Sequence, residues 1–185
     1  MNLSQLPSDL PAPTDDGAAN HLNGLFLPDI QLSATNGELV SLNKLMGKYV
    51  IYIYPMTGQP NIALPPDWDN IPGARGCTPQ SCSFRDHVDE LEKLNTKIFG
   101  LSSQTTEYQL EAKNRLHLPF ELLSDESFGL KKTIGLPTFF VDTNELYKRL
   151  TVIVENSNII KTFYPVFPPD KNVQDVIEWL KTSAN

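Results

Sequence analysis

Apolar residues follow two different periods along this chain. Residues 49–54 read YVIYIY, a run almost wholly β-branched or aromatic, which predicts a strand buried on both faces. Shorter runs of the same kind predict strands at 31–32, 97–101, 151–155 and 159–163. The last two are separated by Asn156-Ser157-Asn158 and read as a hairpin. Elsewhere the apolar spacing changes to three and four, which predicts helices over 82–94, 106–116, 128–134 and 172–183. Phe84, Val88 and Leu91 mark the buried face of the first helix. Strands and helices alternate, a hairpin follows and a helix closes the chain. That order predicts an α/β fold with a mixed central sheet flanked by helices. In such sheets the functional site lies at the carboxyl ends of strands.

Length and charge narrow the picture. With 185 residues, 40% hydrophobic and 20% charged, one well-buried domain is expected. The formal net charge of −7 argues against nucleic acid and anionic membrane surfaces as partners, because both favour a basic patch. Residues 1–24 carry neither a basic leader region nor a long apolar core. They are expected to form a mobile acidic tail ahead of a domain over 25–185, with the protein in the cytoplasm.

The chemistry concentrates at Cys77 and Cys82, the two cysteines of the chain. They sit in GCTPQSC after a Gly- and Pro-rich stretch. Thr78 is expected to cap a helix there, with Pro79 as its first residue. A helix start offers unpaired N–H groups and a positive dipole end, both of which stabilise a thiolate. Extending the helical period back from Phe84 lands on Cys77, which points it toward the protein body. Cys82 lies about 140° further around the helix.

Five residues of ideal helix separate two Cα atoms by roughly 8 to 9 Å. A disulfide tolerates at most about 7 Å. Pairing of Cys77 with Cys82 would require this helix to unwind, so the spacing reads as a bond that forms and breaks in a cycle, with Cys77 attacking first. Inert packing of two small apolar thiols is the plain alternative. Zinc would need about four ligands, and His21, His87 and His117 are scattered.

Three strings together carry a family resemblance: YVIYIYP from Tyr49, GCTPQSCSFRD from Gly76 and LPFELLSDES from Leu118. The chain resembles peroxiredoxins of the Q-type, or bacterioferritin-comigratory, branch from about Leu25 to Leu180. The resemblance implies a thioredoxin-like fold and a thiol peroxidase needing no metal, flavin or haem. It implies Cys77 as the peroxidatic cysteine and Cys82 as an intrachain resolving cysteine. It also implies that Gln80 orients Arg149, which matches the arginine of the family's Arg-x-Thr string and would hold the thiolate and the peroxide oxygens. Hydroperoxides are the implied substrates and thioredoxin or a glutaredoxin-like protein the implied reductant, acting on a monomer or weak homodimer.

The family's Pro-x-x-x-Thr-x-x-Cys pattern is broken here, because Asn70 and Ala74 stand at its Pro and Thr positions. Pro55 and Thr57 are expected to be the displaced pair, Thr57 contacting substrate, with residues 58–74 as an insertion. That long loop is expected to form a lid or a partner surface, and Trp68 to cover the pocket. Three other functions remain open on the sequence. One is a peroxide-sensing switch driven by helix unwinding. Another is a dithiol oxidoreductase, disfavoured by four rather than two intervening residues. The last is a thioredoxin-like binding module without activity.

Overall fold

The computed structural model describes residues 6–183. The first half of the chain runs through β1 (Gln31–Ala34), β2 (Leu39–Ser41), β3 (Lys48–Ile53), α1 (Cys77–Asp86), α2 (Val88–Lys93) and β4 (Thr96–Ser102). The second half adds α3 (Thr106–Leu116), β5 (Glu121–Ser124), α4 (Gly129–Ile134), β6 (Thr138–Val141) and β7 (Asn144–Tyr147). It ends with β8 (Leu150–Glu155), β9 (Asn158–Phe163) and α5 (Asn172–Ser183). Among the described residues, seven strands form one sheet in the order β2-β1-β5-β4-β3-β8-β9. The fold is thioredoxin-like, as expected.

The expected central strand is central. β3 pairs parallel with β4 and antiparallel with β8. Its alternating side chains feed two separate cores. Tyr49, Ile51 and Ile53 pack with Leu101, Leu123, Val152 and Val154 on one face. Val50, Tyr52 and Tyr54 pack on the other with Phe84 from α1, Leu91 from α2 and Val176, Ile177 and Leu180 from α5. Each such residue contributes about 1.5–3 kcal/mol when fully buried. Both faces are therefore covered, which explains the unbroken apolar run. In the β8–β9 hairpin, Asn156 and Ser157 both take positive φ, 48° and 67°. Two consecutive left-handed residues suit the right-handed twist of the strands they join.

Several boundaries differ from the sequence reading. The cysteine helix begins at Cys77, with Gly76 rather than Thr78 at its cap. It breaks at His87, whose φ of −116° separates α1 from α2. β5 and the β6–β7 hairpin are not among the expected strands: each of these strands has four residues, too few for alternation to register.

The expected mobile tail is corrected more substantially. Its residues 1–5 lie outside the described residues, but the later part docks on the body. Ala19 and Leu22 enter the first core. Asp16 pairs with Lys148 at 2.5 Å and accepts from the Tyr164 hydroxyl at 2.6 Å. The backbone N–H of Gly24 donates to Ile159 at 2.7 Å.

Candidate active site

Local backbone chemistry sets the position of Cys77. The chain leaves β3, makes a long excursion through residues 54–76 and returns to start α1 at Cys77. Gly76 has φ +109°, and a Cβ there would lie 2.3 Å from Pro169 Cγ and 2.9 Å from Leu6 Cδ2. Only glycine fits that closely packed left-handed position. The N–H of Gln80 already donates to the Gly76 carbonyl at 3.0 Å, whereas helix geometry leaves those of Cys77 and Thr78 without intrahelical acceptors. The Cys77 sulfur thus sits where the helix dipole favours negative charge. The residue itself is only 3% exposed.

Arg149, at the start of β8 and also 3% exposed, reaches this sulfur. Its Nη2 lies 3.1 Å from Cys77 Sγ. The same guanidinium donates to three consecutive carbonyls of the loop before α1: Gly73 at 3.2 Å from Nε, and Ala74 at 2.9 Å and Arg75 at 3.1 Å from Nη2. Its Nη1 donates to Gln80 Oε1. A planar fork held on several sides has little freedom to turn away from the sulfur. As a thiol, Cys77 can also donate to the Ala74 carbonyl at 3.7 Å.

Asn172, which the sequence did not single out, holds Gln80 in turn and is itself held by Thr151 of the Arg-x-Thr string. Gln80 Nε2 donates to Asn172 Oδ1 at 3.1 Å, and that oxygen also accepts from Thr151 Oγ1 at 2.7 Å. All of these groups are buried. The relay Thr151–Asn172–Gln80–Arg149 brings together α1, β8 and the first residue of α5. No spacing in the chain reveals it, because its members meet only through the fold. Lower on α1, Ser81 accepts from the Tyr52 hydroxyl at 3.1 Å, and Phe84 stacks on the Tyr52 ring at 4.6 Å.

Cys82 lies on the same helix, half-buried and unpaired with Cys77. Burial pushes its thiol above the usual range, opposed by the nearby Arg85 guanidinium. In this helix Cys82 therefore favours its protonated thiol form. Thr57 is placed differently from its expected role. It is buried, but its hydroxyl donates to Gln104 Oε1 at 3.2 Å and its backbone N–H to the same oxygen at 2.9 Å. Its neighbours Met56 and Gly58, rather than Thr57 itself, line the cleft at Cys77. Leu64 and Trp68 complete the wall of that cleft, whose free volume is about 10 Å³.

Comparisons with known proteins give the family and the fold. A family model described as Redoxin matches residues 23–177. Peroxiredoxin Q, chloroplastic, of Oryza sativa subsp. japonica is 29% identical over 161 residues, covering 86% of this chain and 66% of that protein. The match thus spans slightly less than two thirds of the rice relative. Its counterpart from Sedum lineare is 29% identical over 157 residues, 84% of this chain and 75% of that protein. Among solved structures, Xylella fastidiosa PrxQ superposes with a TM-score of 0.71 at 18% identity, over 88% of this chain and 97% of that one. The Xanthomonas campestris bacterioferritin comigratory protein, described for alkyl peroxide reduction, gives 0.67 at 20% identity, over 97% of this chain and all of that one (100%).

Proposed function

The chain belongs to the Redoxin family, and from that premise we propose that it is a thiol peroxidase of the Q-type peroxiredoxin kind, with Cys77 peroxidatic and Cys82 resolving. The observation that carries the reading is the buried Arg149 guanidinium donating to Cys77 Sγ at 3.1 Å, at the start of α1. The thiolate attacks the terminal oxygen of a hydroperoxide, and the O–O bond breaks. Sulfur is oxidised by two electrons to a sulfenic acid. The leaving oxygen carries away the electron pair and takes a proton, departing as water or alcohol. Arg149 faces the developing charge on both oxygens, which a preorganised donor stabilises more in the transition state than in the ground state.

Resolution follows when α1 unwinds. Cys82 attacks the sulfenic sulfur, an S–S bond forms and water leaves. A dithiol donor of the thioredoxin or glutaredoxin kind then reduces the disulfide by exchange. We place this cycle in a reducing compartment, the cytoplasm, where thiols persist, in a monomer or weak homodimer.

Trapping tests the first step. Cys82→Ser protein treated with one equivalent of hydrogen peroxide should gain a dimedone adduct at Cys77, seen by mass spectrometry. An unlabelled Cys77, or label only on other residues, would sink the assignment.

A further inference from the structure

Residues 56–74 do more than return the chain to α1. Their Trp68 is 4% exposed and forms a small apolar core with Ala74, Val141 and Leu146. The Trp68 ring lies 6.5 Å from that of Phe139 on β6, and its backbone N–H donates to the Pro65 carbonyl at 3.2 Å. It is therefore a fixed wall of the Cys77 cleft. The cleft's free volume of about 10 Å³ has room for roughly one water. Leu64 and Trp68 also line an open hollow of about 370 Å³. A separate cavity of about 190 Å³ is lined by Arg149 itself together with Gly73, Phe139, Lys148 and Tyr164, and Cys77 is not among the residues lining it. The cleft that Cys77 itself lines thus holds no ready-made space for the organic part of a large hydroperoxide.

We propose that Trp68, backed by Leu64, determines substrate size at Cys77, admitting hydrogen peroxide and the smallest organic hydroperoxides and turning away bulky ones. The inference rests on the peroxidase reading. Forcing a phenyl group into this cleft displaces a packed aromatic wall, and a misfit of this kind costs a bulky substrate roughly tenfold to two-hundredfold in relative rate. Truncating a side chain that lines both opens the cleft toward the hollow. A large-to-small change can leave a cavity on the order of 150 Å³, which holds a benzene-sized group.

The test compares second-order rate constants for single-turnover oxidation by hydrogen peroxide and by cumene hydroperoxide, in wild type, Trp68→Ala and Leu64→Ala. Wild type should favour hydrogen peroxide by at least about tenfold. Trp68→Ala should shrink that ratio by about fivefold or more, with Leu64→Ala shifting it the same way. Should Trp68→Ala fail to fold, Leu64→Ala decides. Equal rates in wild type, or a ratio that the folded variants leave within about twofold, would overturn the gate while leaving the peroxidase intact. Silence of wild type toward both peroxides would instead overturn the peroxidase reading, and the gate with it.

Discussion

Formation of the Cys77–Cys82 disulfide should be limited by the bonds that keep α1 wound. In the reduced helix the two Cα atoms stand roughly 8 to 9 Å apart, beyond disulfide reach. Closing the gap moves residues 77–82 out of helical geometry. That breaks the Tyr52–Ser81 bond at 3.1 Å, the Gln80–Asn172 bond at 3.1 Å and the contact of Gln80 with Arg149. Ser81→Ala removes the first of these while leaving every contact of Arg149 in place. Tyr52 is fully buried, and its hydroxyl lies only 2.7 Å from where a Cβ on Gly100 would sit, so little space exists for water to replace the lost partner. An unpaired phenol would destabilise the wound state by about 1–3 kcal/mol. Once α1 has unwound, Ser81 has already left Tyr52 and the penalty no longer separates variant from wild type. Condensation should therefore accelerate roughly five- to 150-fold if unwinding precedes it. Rapid mixing with one equivalent of hydrogen peroxide separates sulfenic acid formation from condensation, read by tryptophan fluorescence from Trp68 and by quenched mass spectrometry. An unchanged or slower condensation step would refute the reasoning. So would a disulfide that forms while the amides of residues 80–86 stay protected from hydrogen exchange.

Arg149→Met should lower the rate constant of Cys77 oxidation by about 10²–10³, as removal of a preorganised charge-stabilising donor does elsewhere. Arg149→Lys should restore only part of the loss, since an ammonium cannot reproduce the fork that binds sulfur, Gln80 and three carbonyls; stopped-flow oxidation rates check both. Burial raises the Cys82 thiol, so the folded state holds this proton more tightly than the unfolded chain does. The sign of the linkage follows: the contribution is fully present below the ordinary thiol range and is lost as pH rises through it. Urea titrations should accordingly show wild type losing stability relative to Cys82→Ser as pH climbs past the ordinary thiol value of about 8.5. Gly76→Ala should lower Tm by several degrees, at about 2–4 °C per kcal/mol for a chain of this size, because its Cβ meets Pro169 and its φ is +109°. Calorimetry measures that shift, and an unchanged Tm would contradict the cap geometry.

Elements with strong periodicity and definite ends were legible in the sequence. α3 occupies 106–116 as expected, with the Thr105 hydroxyl capping it by accepting from the Tyr108 N–H at 3.3 Å. α5 likewise fills 172–183, its apolar face made of Val173, Val176, Ile177 and Leu180. The β6–β7 hairpin escaped because its four-residue strands meet around Asp142, a non-glycine residue at φ 52° that gives no obvious turn signal. Docking of residues 16–24 escaped for a related reason: a few isolated contacts, led by Leu22 and Asp16, hold a segment whose composition is that of a solvated tail.

Within the site, Cys77, Gln80 and Arg149 were named in advance from their side chains, and the fold brings these three together. The loop before the helix could not be judged that way. Ala74 looked like a loss, since it stands where the resemblance calls for a hydroxyl, yet the position contributes its carbonyl to Arg149 at 2.9 Å. Backbone donors and acceptors leave no trace in the identity of a residue. Thr57 shows the reverse, a plausible side chain whose hydroxyl is turned to Gln104. Asn172 was invisible because it reaches Gln80 from a distant part of the chain, and Thr151, the threonine of the Arg-x-Thr string, bonds it there.

Steady-state peroxide consumption with a thioredoxin system tests the central claim most directly, in wild type, Cys77→Ser and Cys82→Ser. Wild type should turn over many times, Cys77→Ser should be inert, and Cys82→Ser should stop after one equivalent. A wild type that stalls at one equivalent beside a competent reductant would point to a redox switch, and a Cys77→Ser variant as active as wild type would contradict the site itself.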